Sequence, residues 1–206
     1  MRVRVKVCGV TRPEDAAAAA DAGADAIGLN FVAESPRRLT PERAAAVAQA
    51  IPPFVARVGV FANPDPEVVA RLAASLRLDV AQLHGEETPA EAARLPIPWY
   101  KAHRVDASFT PESIAAYGRP IALLDAAGPG RGGTGRTFDW GVARRGAAFA
   151  RIILAGGLTP ENVGAAIAAA APWAVDVNSG IESAPGVKDK DRLARFFDAV
   201  AAGVRP

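Results

Sequence analysis

The sequence predicts an α/β fold, a closed parallel (β/α)8 barrel of the TIM type, built as a single domain over residues 1–206. Two observations carry this. Short β-branched runs alternate with longer Ala-rich segments eight times along the chain, and such alternation gives parallel strands joined by right-handed crossovers. Eight similar units with no long crossover then favour closure over an open doubly wound sheet, the competing arrangement.

Strands are expected at 3–8, 25–31, 55–61, 79–83, 98–103, 120–125, 151–155 and 173–178, with helices near 13–22, 40–50, 65–76, 88–94, 110–117, 138–149, 160–170 and 189–201. In the first strand, alternation puts Val3, Val5 and Val7 on one face and Arg4, Lys6 and Cys8 on the other. In the eighth, Val175 and Val177 oppose Asp176 and Asn178. Apolar faces turned to helices and polar faces turned inward suit a barrel with charge near its reactive end. Helix starts are marked by Thr40-Pro41, Thr88-Pro89, Thr110-Pro111 and Thr159-Pro160. Threonine caps free backbone N–H groups, and proline sits where no donor is needed. Thr88 with Glu91 also fits a capping box.

Composition excludes several classes. A net charge of +2, with Lys/Arg and Asp/Glu alternating along helices, gives no basic stripe for nucleic acid or an anionic membrane. The single cysteine, Cys8, excludes an internal disulfide and a Cys-rich metal site. No apolar run reaches spanning length and no secretory leader is visible, so a cytoplasmic protein is expected.

Two strand ends are rich in glycine: Ala155-Gly156-Gly157-Leu158 after the seventh, and Asn178-Ser179-Gly180 after the eighth. Glycine lets main-chain N–H groups approach phosphate oxygens, and barrels commonly bind phosphate at these two loops. A short helix after strand eight would add its positive end. Tight turns are the plain alternative for either glycine pair alone. The segment Gly128–Gly135 lacks a nucleotide-binding fingerprint and reads as a lid or a flexible linker.

Cys8 lies at the end of strand one, where a barrel places catalytic groups. A thiolate base needs nearby positive charge, and Lys6 stands two residues back on the same face, roughly 7 Å away. That charge is expected to lower the thiol by up to ~1.5 pKa units. A structural Lys6–Asp176 bridge is the competing reading of both residues. Asp125 ends strand six, where shielding from water favours a transferable proton; a capping role is the alternative. Arg37, after strand two, suits bidentate carboxylate recognition. His84 could line the same opening or serve only as a structural hydrogen-bonding group, and His103 has no motif.

These ordered motifs resemble the phosphoribosylanthranilate isomerase family. The matching segments are Lys6-Val7-Cys8-Gly9-Val10-Thr11, Ser35-Pro36-Arg37, Gln82-Leu83-His84-Gly85-Glu86, Leu123-Leu124-Asp125, Gly132-Gly133-Thr134-Gly135 with Phe138-Asp139-Trp140, Leu154-Ala155-Gly156-Gly157-Leu158 with Pro160-Glu161-Asn162-Val163, and Asp176-Val177-Asn178-Ser179-Gly180-Ile181-Glu182 with Gly186-Val187-Lys188-Asp189. The resemblance implies an Amadori rearrangement of N-(5′-phosphoribosyl)anthranilate in tryptophan biosynthesis, with Cys8 as general base and Asp125 as general acid. It implies that Arg37 receives the anthranilate carboxylate and that Gly156, Gly157, Ser179 and Gly180 hold the phosphate. His84 and Asp176 complete the implied substrate-binding set. No metal or organic cofactor is implied, because the substrate nitrogen supplies the electron push. Asn30 and Asn178 depart from the family pattern in the pocket lining. Partners are expected to be a small phosphorylated substrate, no nucleic acid and no membrane, with a monomer or homodimer both open.

Three alternatives compete with this expectation. The histidine-pathway isomerase family looks to an aspartate where this chain has Cys8, and no matching Gly-rich strand end appears in the other half of the barrel. A non-catalytic sugar-phosphate binder would not need both Cys8 and Asp125. An interaction module would need an apolar patch or charge block.

Overall fold

The computed structural model describes residues 2–126 and 138–203. Eight parallel strands close into a barrel in chain order: β1 (Arg4–Val7), β2 (Ala26–Asn30), β3 (Ala56–Phe61), β4 (Val80–Leu83), β5 (Trp99–Val105), β6 (Ile121–Ala126), β7 (Arg151–Leu154) and β8 (Ala174–Val177). The seam between first and last strands is fully paired, with Arg4 opposite Ala174 and Lys6 opposite Asp176. Closure leaves the barrel sheet without an edge strand, the arrangement expected over the open sheet. The Gly128–Gly135 segment lies outside the described residues.

Outside the barrel run α1 (Pro13–Asp21), α2 (Pro41–Gln49), α3 (Pro66–Leu76), α4 (Pro89–Ala92), α5 (Trp140–Gly146), α6 (Val163–Ala170) and α7 (Lys190–Gly203). Ile27, Leu29, Val5, Val7, Leu83, Leu124 and Leu154 face these helices in the main core. A second, smaller core fills the barrel itself with Val58, Tyr100, Ala102, Leu123, Ile153 and Ala174. The interior is thus apolar in its middle, with Arg4 and Arg151 over the Trp173 ring at its N-terminal end and the buried Lys6–Asp176 pair toward the C-terminal mouth. Among the described residues no helix is long and apolar enough to cross a membrane.

Two of the expected caps hold and two do not. The Thr40 hydroxyl accepts from the Arg43 N–H, and Thr88 with Glu91 forms a complete capping box. Residues Pro111–Tyr117 form a 3-10 helix without a side-chain cap from Thr110, in place of the expected α-helix. Its apolar residues Pro111, Ile114 and Tyr117 recur every third position, which suits three residues per turn. Thr159-Pro160 does not open α6 either. The Asn162 side chain accepts from the Thr159 N–H and donates to the Gly157 carbonyl, which makes 157–162 a closed turn and delays the helix to Val163.

Candidate active site

Eight of the nine residues singled out by sequence come together at the C-terminal mouth of the barrel. Cys8, His84, Asp125, Gly156, Gly157, Asp176, Ser179 and Gly180 line one cleft, joined by Asn30, Val60, Gln82 and Asn178. Arg37 stands beside the cleft and is not in its lining.

Cys8 follows β1 directly and is buried, held by a hydrogen bond from its N–H to the Val177 carbonyl. Gly28 on β2 makes room for the thiol, since a Cβ there would lie 2.8 Å from the Cys8 Sγ and 3.2 Å from the Lys6 Nζ. Lys6 is not a free activating cation. Its Nζ donates to both oxygens of Asp176, at 2.9 and 3.0 Å, and both side chains are buried. Burial by itself would discharge the lysine, but the Asp176 carboxylate outweighs it and holds Lys6 protonated well beyond the ordinary lysine range. The Cys8 thiol moves in the opposite direction from the expected one. Burial pushes it up, and the lowering by Lys6 is too small to compensate, with Asp176 adding to the rise.

Asp125 sits on the inward face of β6, and its Oδ2 lies 3.4 Å from the His84 Nε2. His84 in turn has its Nδ1 3.4 Å from the Gln82 Nε2, and the Gln82 Oε1 accepts from the buried Tyr100 hydroxyl at 2.9 Å. A polar chain therefore runs from inside the barrel to the carboxyl group. The loop carrying His84 is fixed from outside the barrel, where Lys101 donates to the carbonyls of Leu83 and Gly85 and pairs with the buried Glu87. His103, on the same strand as Lys101, points away from the cleft into the rings of Phe109 and Tyr117.

The two glycine-rich strand ends are pressed together. Gly156 and Gly157 both have left-handed backbone, with φ of 86° and 63°, a conformation in which glycine carries no Cβ penalty. A Cβ on Gly180 would fall 1.9 Å from the Leu158 carbonyl oxygen, so only glycine fits there. The expected helix after β8 is a single 3-10 turn, Ser179–Ile181. Three residues carry little of a helix dipole, so the expected positive helix end is not present at this loop.

Arg37 is buried and fully engaged along one edge. Its Nε donates to Glu182 at 2.9 and 3.2 Å, and its Nη2 donates to the same carboxylate at 2.5 Å. Lys188 donates to Glu182 at 2.9 Å and to the Asn178 side chain at 3.0 Å. Sequence reasoning gave no role to Glu182 or Lys188, although both fall within the motifs that carry the family resemblance. Their only local signal was an acidic and a basic residue flanking the turn Ser183–Val187, which reads equally well as surface.

The closed parallel barrel, with this charged cleft at the C-terminal end of its strands, defines a (β/α)8-barrel enzyme. Comparison with known proteins narrows the class. Residues 5–199 match the family model of N-(5′-phosphoribosyl)anthranilate (PRA) isomerase. The N-(5′-phosphoribosyl)anthranilate isomerase of Trichlorobacter lovleyi is 48% identical over 197 residues, covering 95% of this chain and 96% of the relative. This chain belongs to the N-(5′-phosphoribosyl)anthranilate isomerase family. Among solved structures, the phosphoribosyl anthranilate isomerase of Thermus thermophilus superposes with a TM-score of 0.89 at 43% identity, covering 97% of this chain and 99% of that one. A phosphoribosyl anthranilate isomerase in complex with reduced 1-(o-carboxyphenylamino)-1-deoxyribulose 5-phosphate gives 0.85 at 38% identity, with the same coverage. Monomers derived from the dimeric Thermotoga maritima enzyme give 0.85 at 37%, again covering 97% and 99%.

Proposed function

We propose that this protein converts N-(5′-phosphoribosyl)anthranilate to 1-(2-carboxyphenylamino)-1-deoxyribulose 5-phosphate, with Asp125 as general acid and Cys8 as general base. The observation that carries the reading is the meeting of thiol, carboxyl group and both glycine-rich strand ends in one cleft. Asp125 gives its proton to the furanose ring oxygen as the C1′–O bond breaks, and the substrate nitrogen lone pair forms the C1′=N bond. The ring oxygen leaves as a hydroxyl. The Cys8 thiolate then takes the C2′ proton, which the iminium has made acidic, and the electrons flow back to nitrogen. The resulting enolamine tautomerises, losing the O2′ proton and gaining one at C1′, so the product is an isomer with no oxidant or reductant consumed.

In this reading the N–H groups around Gly156, Gly157, Ser179 and Gly180 hold the phosphate. His84 stands behind Asp125, Asp176 faces the sugar hydroxyls, and Arg37 meets the anthranilate carboxylate. Loss of substrate fluorescence on adding the pure protein tests the reaction. C8A and D125A are each expected to cut turnover at least ~100-fold, and near-normal turnover in either removes that residue from the mechanism.

A homodimer is the proposed assembly. At the N-terminal end of the barrel Phe54 is fully exposed, at 106%, on a left-handed backbone with φ of 70°. The same end carries a cleft of about 700 Å³ whose apolar walls, Phe149, Ile152 and Trp173 among them, are joined by Arg2, Arg4 and Arg151. An aromatic knob and a cleft of apolar walls and arginine side chains, which take an aromatic face, lie on one end and are self-complementary under a two-fold axis. Sedimentation of wild type and F54S is the test: the wild type is expected to run as a dimer and the variant as a monomer, and a monomeric wild type overturns the reading.

A further inference from the structure

Arg37 uses its lateral edge, Nε and Nη2, on Glu182. An arginine held that way keeps its terminal fork, Nη1 with the second Nη2 proton, for another planar anion. Among the described residues Nη1 makes no hydrogen bond. The Glu182 carboxylate is itself fixed by donors from three directions: Arg37, the Lys188 Nζ at 2.9 Å and the Gly186 N–H at 3.1 Å. Burial disfavours its charge, yet the bonds from Arg37 and Lys188 outweigh that and keep its pKa below the ordinary glutamate value. Two cations thus share one carboxylate, and the cluster retains a net positive charge beside Cys8. Gly9 completes the setting. With φ of 64°, it has no Cβ to strike the Arg37 Cδ, which would be 2.6 Å away, or the Asn178 Oδ1 at 2.7 Å.

We propose that Glu182 is a specificity-determining positioning residue: anchored by Lys188, it sets the plane of the Arg37 guanidinium so that the free fork meets the aryl carboxylate of the substrate. Glu182 touches neither the sugar nor the reacting atoms. Its effect passes through Arg37, and the inference rests on the proposed role of Arg37. A merely structural Glu182 would hold the loop after β8 and leave discrimination between aryl groups unchanged.

The test compares two probes that differ only in the carboxylate: the reduced product 1-(2-carboxyphenylamino)-1-deoxyribitol 5-phosphate and its phenylamino analogue. Calorimetric affinities are measured for wild type, E182Q and R37M. The wild type is expected to prefer the carboxylated probe, and E182Q to lose about tenfold of that preference while affinity for the phenylamino probe stays within about twofold. In turnover, E182Q raises KM for the carboxylated substrate more than it lowers kcat. If R37M loses the preference and E182Q keeps it, the positioning role is wrong and the Arg37 reading stands. If R37M keeps the preference, the Arg37 reading falls and this inference falls with it. Should E182Q lack a cooperative melt, E182D serves in its place. It keeps the charge but withdraws it by one methylene, and is expected to narrow the preference about threefold; an unchanged preference in a folded E182D overturns the proposal.

Discussion

Lys6 and Asp176 close the barrel chemically as well as topologically: they are register partners across the β1–β8 seam, and the lysine donates to both carboxylate oxygens with both groups buried. Removing one partner leaves a charge in the barrel interior with nothing to balance it. K6M is expected to lower unfolding free energy by about 3–5 kcal/mol, measured by urea denaturation. The double variant K6M/D176L, with both charges gone, should recover most of that loss. If K6M alone costs under about 1 kcal/mol, the pair is not carrying the interior.

The buried Cys8 thiol sets a pH dependence. Its pKa lies above the ordinary cysteine value because burial outweighs the charge of Lys6. An Asp125 acid must stay protonated while a Cys8 base must ionise, so the two requirements offset each other in kcat/KM over the range between them, and the thiol itself is the quantity to follow. Its ultraviolet thiolate absorbance in folded wild type, taken against C8A, should rise only as pH passes about 8.5. A thiolate transition centred below about pH 7 would contradict the raised thiol.

His103 predicts an acid weakness that has nothing to do with the site. Burial, helped by the charge of Lys101, pushes its pKa down to about 4, and among the described residues its buried Nε2 has no hydrogen-bond partner. The folded state therefore keeps the ring neutral while the unfolded chain takes up a proton near pH 6.5. Stability from this source is complete above pH 6.5 and is lost as pH falls toward 4, by up to about 3 kcal/mol. H103F, which fits among the rings of Phe109 and Tyr117, should melt higher than wild type, and by a larger margin at pH 5 than at pH 8. Equal margins at the two pH values would show that His103 does not drive the acid loss.

Two helices end on residues that bear a Cβ in left-handed backbone, Arg77 after α3 with φ of 54° and Ala171 after α6 with φ of 46°. Glycine is the preferred residue there. R77G and A171G should each stabilise by about 0.5–1 kcal/mol, read as a melting rise of roughly 1–3 °C. A fall in melting temperature for A171G would mean that its exposed methyl makes contacts worth more than the backbone strain.

Strand placement was readable because each strand carries its own alternation: Val5 and Val7 against Lys6, or Val175 and Val177 against Asp176, need no knowledge of distant chain. The same local logic found Cys8, Asp125 and the glycines, all at strand ends. It failed where a side chain's state depends on a partner far away. Glu182 lies 145 residues from Arg37, and nothing within either segment signals that the two meet. The sign of the Cys8 shift failed for a related reason. Spacing along β1 gave the distance to Lys6, but burial and the commitment of Lys6 to Asp176 are properties of the assembled barrel. Thr159 misled because a Thr-Pro pair marks a helix start only when no later side chain, here Asn162, captures the turn first.

The seam between β1 and β8 has a consequence during synthesis. The first strand leaves the ribosome long before the last, and until residues 174–177 emerge β1 has no neighbour on one side and Lys6 no counterion. The growing chain then presents two raw strand edges at once, the state in which parallel sheets find wrong partners. The hazardous interval in the life of this protein opens with its first strands and ends only when β8 emerges.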